Sequence, residues 1–147
     1  MDQPDTPAAL KARALRYLAR REHSRAELSR KLAPRAESAE ALLFLLDELT
    51  KSKQLSDERY AEVRSHWMAR KYGAARIRHD LKAKGVADDV AARVSSADEL
   101  ERAKAILVRK YRDAATTREE KARRARFLQG RGFSMDVIQS LVLRSDE

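Results

Sequence analysis

The side chains that could move a proton or hold a metal are few in this chain, and they do not converge. The three histidines, His23, His66 and His79, fall on separate stretches without HExxH spacing, and the acids near them stand where helix caps and i,i+4 ion-pair partners belong. Cysteine is absent, which removes disulfides, thiolate zinc sites and cysteine nucleophiles. Gly73, Gly85, Gly130 and Gly132 stand where helices are expected to stop, not in a phosphate-cradling loop. Acid–base catalysis and metal ligation both need groups that meet, so the pattern predicts a protein that is not an enzyme, with no cofactor and no metal.

What the chain does offer is positive charge. Its 147 residues carry 32 Lys and Arg against 23 Asp and Glu, a net charge of +9, and the pI is about 10.1. Such a balance points to nucleic acid, acidic protein surfaces or anionic membranes as partners. The surplus is uneven. Residues 11–35 hold nine basic and two acidic side chains, 70–84 six and one, and 102–131 eleven and three; 36–50 hold four acids and no base, and 85–101 five acids and one base. A solvated helix face would account for any one run, but a surface tuned only for solubility mixes its signs more evenly. The candidate partner-binding residues are therefore Arg20, Arg21 and Arg25, then Arg70, Lys71, Arg76, Arg78 and Lys82, then Lys121, Arg123, Arg124 and Arg126.

Helices must present these cations. Apolar residues make up 43 % of the chain and charged ones 37 %, with 5 % aromatic, four Gly and three Pro, a mix that predicts an all-α fold. Thr6 and Pro7 predict the cap and first position of a helix carrying Leu10, Ala14, Tyr17 and Leu18 to near Glu22. Ser24 and Glu27 form a capping-box pattern ahead of Leu28 and Leu32, and Pro34 ends that helix. A third helix, about 38–53, has Leu42, Leu45, Leu46 and Leu49 on one stripe and Leu43 and Phe44 off it, which predicts burial on two sides. Ser56 caps a fourth, with Leu55 and Tyr60 as a hydrophobic staple and Tyr60, Val63 and Trp67 as core; base stacking is the weaker reading of these rings.

Beyond Gly73, Ile77 and Leu81 mark the core face of a fifth helix, and Gly85 with Val86 predicts a Schellman ending. Asp88 and Asp89 open a short sixth helix with Val90 and Val94. Ser96 with Glu99 predicts a capping box for a seventh helix spaced by Leu100, Ala103, Leu107 and Tyr111. Thr117 with Glu120 predicts another for an Arg-rich eighth helix, which ends at Gly132-Phe133. Ser134 caps a ninth with Val137, Ile138, Leu141 and Val142.

An internal repeat organises these elements. Leu81-Lys-Ala-Lys-Gly85-Val86 followed by Asp89-Val90 superposes on Leu128-Gln-Gly-Arg-Gly132-Phe133 followed by Asp136-Val137, 47 residues later, and Leu28 and Leu32 precede Ile77 and Leu81 by 49. Three units of three helices account for the chain, each leaning on its neighbour for core. The expected divisions are a flexible segment 1–6 and repeats at 7–54, 55–95 and 96–147. The basic second helices suggest helix-turn-helix units, but the third helices of the first two units are acidic. Asn is absent and only four Gln occur, so any DNA contact is expected at phosphates and without sequence preference. No apolar run approaches the length of a membrane span, about 18 residues. The start, MDQPDTPAAL, lacks the pattern of a signal peptide, and a cytoplasmic protein is expected.

Four motifs in order also resemble a known family. Ser24-Arg-Ala-Glu-Leu28, Leu55-Ser-Asp-Glu-Arg-Tyr-Ala61, Gly73-Ala-Ala-Arg-Ile77 through Val86, and Phe127-Leu128 through Arg131-Gly132-Phe133-Ser134 together look like the bacterial RecX regulators along nearly the whole chain. Ser56 and Tyr60 depart from the commoner Asn and Phe while keeping cap and core chemistry. The resemblance implies tandem three-helix repeats in a curved, all-helical molecule and a non-catalytic regulator; a monomeric, elongated array is expected. Its implied partner is the RecA recombinase filament on single-stranded DNA, held in the helical groove across neighbouring protomers, with inhibition of strand exchange, ATPase and co-protease activity in DNA repair. The competing expectation is a stand-alone, non-sequence-specific DNA-binding protein.

Overall fold

A computed structural model describes Gln3 to Leu143. Its helices are α1 (Pro7–Arg20), α2 (Arg25–Leu32), α3 (Ala39–Lys51), α4 (Asp57–Met68), α5 (Ala74–Ala83), α6 (Asp88–Ala91), α7 (Glu99–Lys110), α8 (Arg118–Gly130) and α9 (Met135–Ile138). A 3-10 turn, Ala33–Arg35, follows α2, and a π-helical turn, Gln139–Leu143, extends α9. The chain is thus all-α, three successive sets of three helices, with no strand among the described residues. No described helix is long and apolar enough to cross a membrane.

The helix starts are set by side-chain oxygens. Thr6, Ser24, Ser38, Ser56, Thr117 and Ser134 each accept a hydrogen bond from the backbone N–H three residues on, caps worth about 1 kcal/mol apiece. The reciprocal capping box closes at Thr117 and Glu120. Beside Ser24, the Glu27 carboxylate turns instead to the Arg21 guanidinium. At Ser96 the expected box does not form: α7 starts only at Glu99, preceded by Asp98 at φ 61° with no side-chain cap. The Glu99 carboxylate is buried and accepts the Ala74 N–H at 3.1 Å. Ala74 opens α5 directly after Gly73, which has no side chain to supply a cap, so a carboxylate from elsewhere in the chain does so.

The helix ends repeat one device. At α5, Gly85 takes φ 84° and the Val86 N–H reaches Leu81 O at 3.0 Å; at α8, Gly132 takes φ 90° and the Phe133 N–H reaches Leu128 O at 3.1 Å. Both are Schellman endings. At α3 the same turn is made by Lys53 at φ 65°, with the Gln54 N–H on Leu49 O.

The chain packs as two compact units, residues 1–63 with 81–91 and residues 64–80 with 92–147. In the first, Leu10, Ala14, Leu28, Leu32, Leu45, Leu46, Leu49 and Leu55 form the core, with Tyr17, Leu18 and Leu42 half-buried against it. In the second, Ala103, Ile106, Leu128, Phe133, Ile138 and Val142 do so. Ile77 and Leu81 are buried, as their spacing predicts.

Three core expectations fail. Leu43 and Phe44 are exposed, so α3 buries one side, not two. Val63 and Trp67 are also exposed, because the buried face of α4 runs through Tyr60, the smaller Ala61, and Met68. Leu100 lies outside the core of α7, whose later start puts Glu99, Ala103 and Ile106 on the buried stripe. The segment expected to be flexible is anchored in its described part. Asp5 is buried, accepts from Arg13 Nε at 2.7 Å and Arg35 Nη2 at 2.9 Å, and donates its own N–H to Arg35 O. Those hydrogen bonds, Arg13 first and then Arg35, lower its pKa to about 2.

Candidate functional site

The basic side chains are placed by junctions between successive second helices. In the first unit, the Ser24 hydroxyl at the start of α2 donates to Lys84 O just past α5 at 2.8 Å, and the bare Cα of Gly85 lies against Ala26. In the second unit, the Gly73 N–H at the start of α5 donates to Arg131 O just past α8 at 2.7 Å. There a Cβ on Gly132 would collide with Arg76, and one on Gly73 with the Gly132 carbonyl. Each junction sets the positive end of one helix against the negative end of another, a favourable alignment of dipoles.

In the first unit six basic side chains pair with carboxylates. Arg21 clasps Glu27 through Nη1 at 3.0 Å and Nη2 at 2.8 Å, and Arg25 meets Asp47 at 2.6 Å and Thr50 at 3.2 Å. Arg59 pairs with Glu22, Lys11 with Glu48, and Arg13 and Arg35 with Asp5. Of the candidates in this unit, Arg20 and Lys82 are exposed with no partner among the described residues. The sequence of this unit holds fourteen basic and thirteen acidic residues, net +1.

The second unit holds eighteen basic and ten acidic residues, net +8. Its arginines are held largely by carbonyl oxygens and aromatic faces. Arg76 donates to Gly130 O at 2.9 Å and lies 4.9 Å over the Tyr72 ring. Arg131 donates to Lys71 O at 3.2 Å and lies over both Tyr72, at 5.5 Å, and Phe127, at 4.9 Å. Lys110 sits 4.5 Å over Phe127, which meets Tyr111 edge to face, and Arg124 covers Tyr111 at 4.3 Å while donating to Asp113 O. Arg76, Tyr72, Arg131, Phe127, Lys110, Tyr111 and Arg124 thus form a ladder of alternating cations and rings.

Of the remaining candidates in this unit, Arg78 donates to Val94 O and Ser96 Oγ, and Arg70 stacks 5.4 Å over Trp67. Lys71, Arg123 and Arg126 are exposed, Lys121 is half-buried, and none of the four side chains has a partner among the described residues. Arg131 and Lys110 are missing from the sequence-based candidates. The available signal was an aromatic residue four before an arginine at a helix end, Tyr72 to Arg76 and Phe127 to Arg131.

The histidine with the most developed surroundings is structural. His23 is 1 % exposed, packs against Tyr17, and shares its ring nitrogens with Arg21 O at 3.0 Å and Lys31 Nζ at 2.8 Å. The ammonium donates to Nε2, so Nδ1 carries the proton and the ring is neutral. Burial lowers its pKa.

Family models for the first, second and third three-helix domains of RecX match residues 11–43, 56–94 and 97–142. The regulatory protein RecX of Ralstonia nicotianae is 44 % identical over 99 % of this chain and 94 % of its own length. That of Herbaspirillum seropedicae is 44 % identical over 92 % and 90 %, and that of Neisseria gonorrhoeae 38 % identical over 90 % and 88 %. In fold, the chain is similar to the crystal structure of RecX from Lactobacillus salivarius, with a TM-score of 0.79 at 22 % identity over 93 % of this chain and 94 % of that one. Three domain matches in order, relatives of this identity over nearly full length and a common fold lead to one conclusion: the chain belongs to the RecX family of regulatory proteins.

Proposed function

We propose that this protein binds the RecA recombinase filament on single-stranded DNA and inhibits its strand-exchange, ATPase and co-protease activities, and that the second unit makes most of the contact. The observation that carries the reading is the +8 charge of that unit, with guanidiniums fixed by carbonyls and rings and so still available to an acidic partner. Inhibition is steric: a chain held against several protomers at once gains avidity and blocks what those protomers must do next.

The test uses residues that carry charge without holding the fold. Reversing Arg76 and Arg78 would confuse the two roles, since both tie segments together through backbone carbonyls. Lys71, Arg123 and Arg126 have no such duty. The triple variant Lys71→Glu, Arg123→Glu, Arg126→Glu should keep wild-type helicity and lose at least about tenfold in inhibition of recombinase ATP hydrolysis on single-stranded DNA. Undiminished inhibition would refute the role of this face. Tight, salt-sensitive binding to bare DNA with no effect on hydrolysis would favour the stand-alone DNA-binding reading instead.

A further inference from the structure

Two exposed apolar features play no part in that test, and they are complementary. On α3, Phe44 is 73 % exposed, beside the exposed Leu43. Glu40, Asp47 and Glu48 stand at i−4, i+3 and i+4 from Phe44, so an aromatic knob rises among carboxylates on one helix face. Asp47 and Glu48 are shared with Arg25 and Lys11, while Glu40 has no partner among the described residues. The pattern of α3 is that of a helix wanting a neighbour on this side, and the described residues leave most of Phe44 uncovered.

The second feature is a shallow, mostly apolar groove of about 510 Å³ in the second unit, lined by Ala69, Arg70, Arg102, Ala105, Val108 and Arg109. Two alanines and Val108, itself 67 % exposed, supply the apolar surface, and three arginines supply charge around it. Arg102 is fixed by Ala69 O at 3.2 Å and Tyr72 O at 2.8 Å, and Arg109 by Arg70 O at 2.8 Å. Neither has a carboxylate partner among the described residues, so both cations are preorganised and free to take one.

We infer that the Phe44 face of one copy docks in the arginine-lined groove of a second copy. The aromatic ring covers the alanines, and the Glu40 carboxylate meets the arginines that line the groove, Arg70, Arg102 and Arg109. Charge complementarity selects this occupant, because every copy carries both a knob flanked by the Glu40 carboxylate, which has no partner among the described residues, and a socket lined by three arginines. The contact joins two different surfaces and is heterologous, leaving each copy one further knob or socket to offer. A single helix face in a shallow groove belongs to the small, transient class of interface, below about 1,200 Å². It is therefore weak in dilute solution and strengthened wherever copies are held close together, and it is independent of the recombinase reading because both surfaces are in the chain itself.

Sedimentation velocity of the purified protein, from micromolar to near-millimolar concentration and at low and high salt, reads this directly. The expected result is a weight-average mass that rises with concentration and falls back with salt. Phe44→Glu and Val108→Glu alter exposed side chains and should keep wild-type helicity; each alone should weaken association at least about tenfold. An equimolar mixture of the two variants should form a one-to-one complex, since one retains the socket and the other the knob. A wild type that stays monomeric throughout, single variants that associate like wild type, or a mixture that stays monomeric would overturn the contact. A monomeric wild type whose Val108→Glu variant loses recombinase inhibition would assign the groove to the recombinase and also overturn it.

Discussion

A guanidinium bonded to a carbonyl oxygen remains a net cation, whereas one bonded to a carboxylate is locally neutral. That difference separates Arg76, Arg124 and Arg131, held by Gly130 O, Asp113 O and Lys71 O, from Arg21 and Arg25, held by Glu27 and Asp47. Sequence spacing shows both sets as equally basic because the carboxylate that quenches Arg25 lies 22 residues away. His23 gives the residue scale its own test. Burial lowers the pKa of the folded-state imidazole below its ordinary 6.5, so on acidification the unfolded chain takes up the proton first. The neutral ring's contribution is present above pH 6.5 and is lost as pH falls through 6.5 toward the lower folded value. Thermal midpoints measured from neutral pH down to about 5 should therefore fall more steeply for wild type than for His23→Gln. Parallel pH profiles would mean that the ring titrates alike in both states.

At the scale of elements, α8 ends in two glycines, two positions apart, that should respond to alanine with opposite signs. Gly132 holds φ 90° with its Cα against Arg76, so Gly132→Ala should destabilise by about 1–2 kcal/mol from the backbone alone, and by more from the collision. Gly130 is the last residue of α8 with nothing within 4 Å of a built Cβ, so Gly130→Ala should stabilise by about 0.5–1 kcal/mol. Urea unfolding of the two variants decides it; a loss at both positions would mean that the open space beside Gly130 is not usable. The left-handed ending at Gly132 is legible from its repeat partner Gly85, as are the caps at Thr6, Ser24 and Ser56, since these act within one turn of chain. What is not legible acts across the chain. Glu99 looks like the closing residue of a capping box with Ser96 until the uncapped start of α5, 25 residues earlier, claims its carboxylate. Phe44 and Trp67 look like core because size and spacing mark a helix face as apolar without saying whether anything covers it.

At the scale of the whole molecule, three repeats with similar basic second helices still distribute charge unequally, +1 in the first unit and +8 in the second. In the first unit, acids of α3 meet cations of α1 and α2, as at Lys11 with Glu48 and Arg25 with Asp47, and Glu22, just past α1, meets Arg59 of α4. A partner surface of negative charge should accordingly feel the second unit far more strongly. Reversal of two unpartnered cations in each unit separates this from an interface drawn evenly along the repeats: Arg20→Glu with Lys82→Glu in the first, Arg123→Glu with Arg126→Glu in the second. Both pairs change formal charge equally and touch exposed side chains. Affinity for the recombinase filament, measured as a function of salt, should drop several-fold more for the second pair, and its salt dependence should flatten more, because rim charges act chiefly through long-range attraction that salt screens. Equal losses from the two pairs would instead require an interface that samples the first unit as fully as the second, and the ion pairs that neutralise α1 and α2 would then have to open on binding.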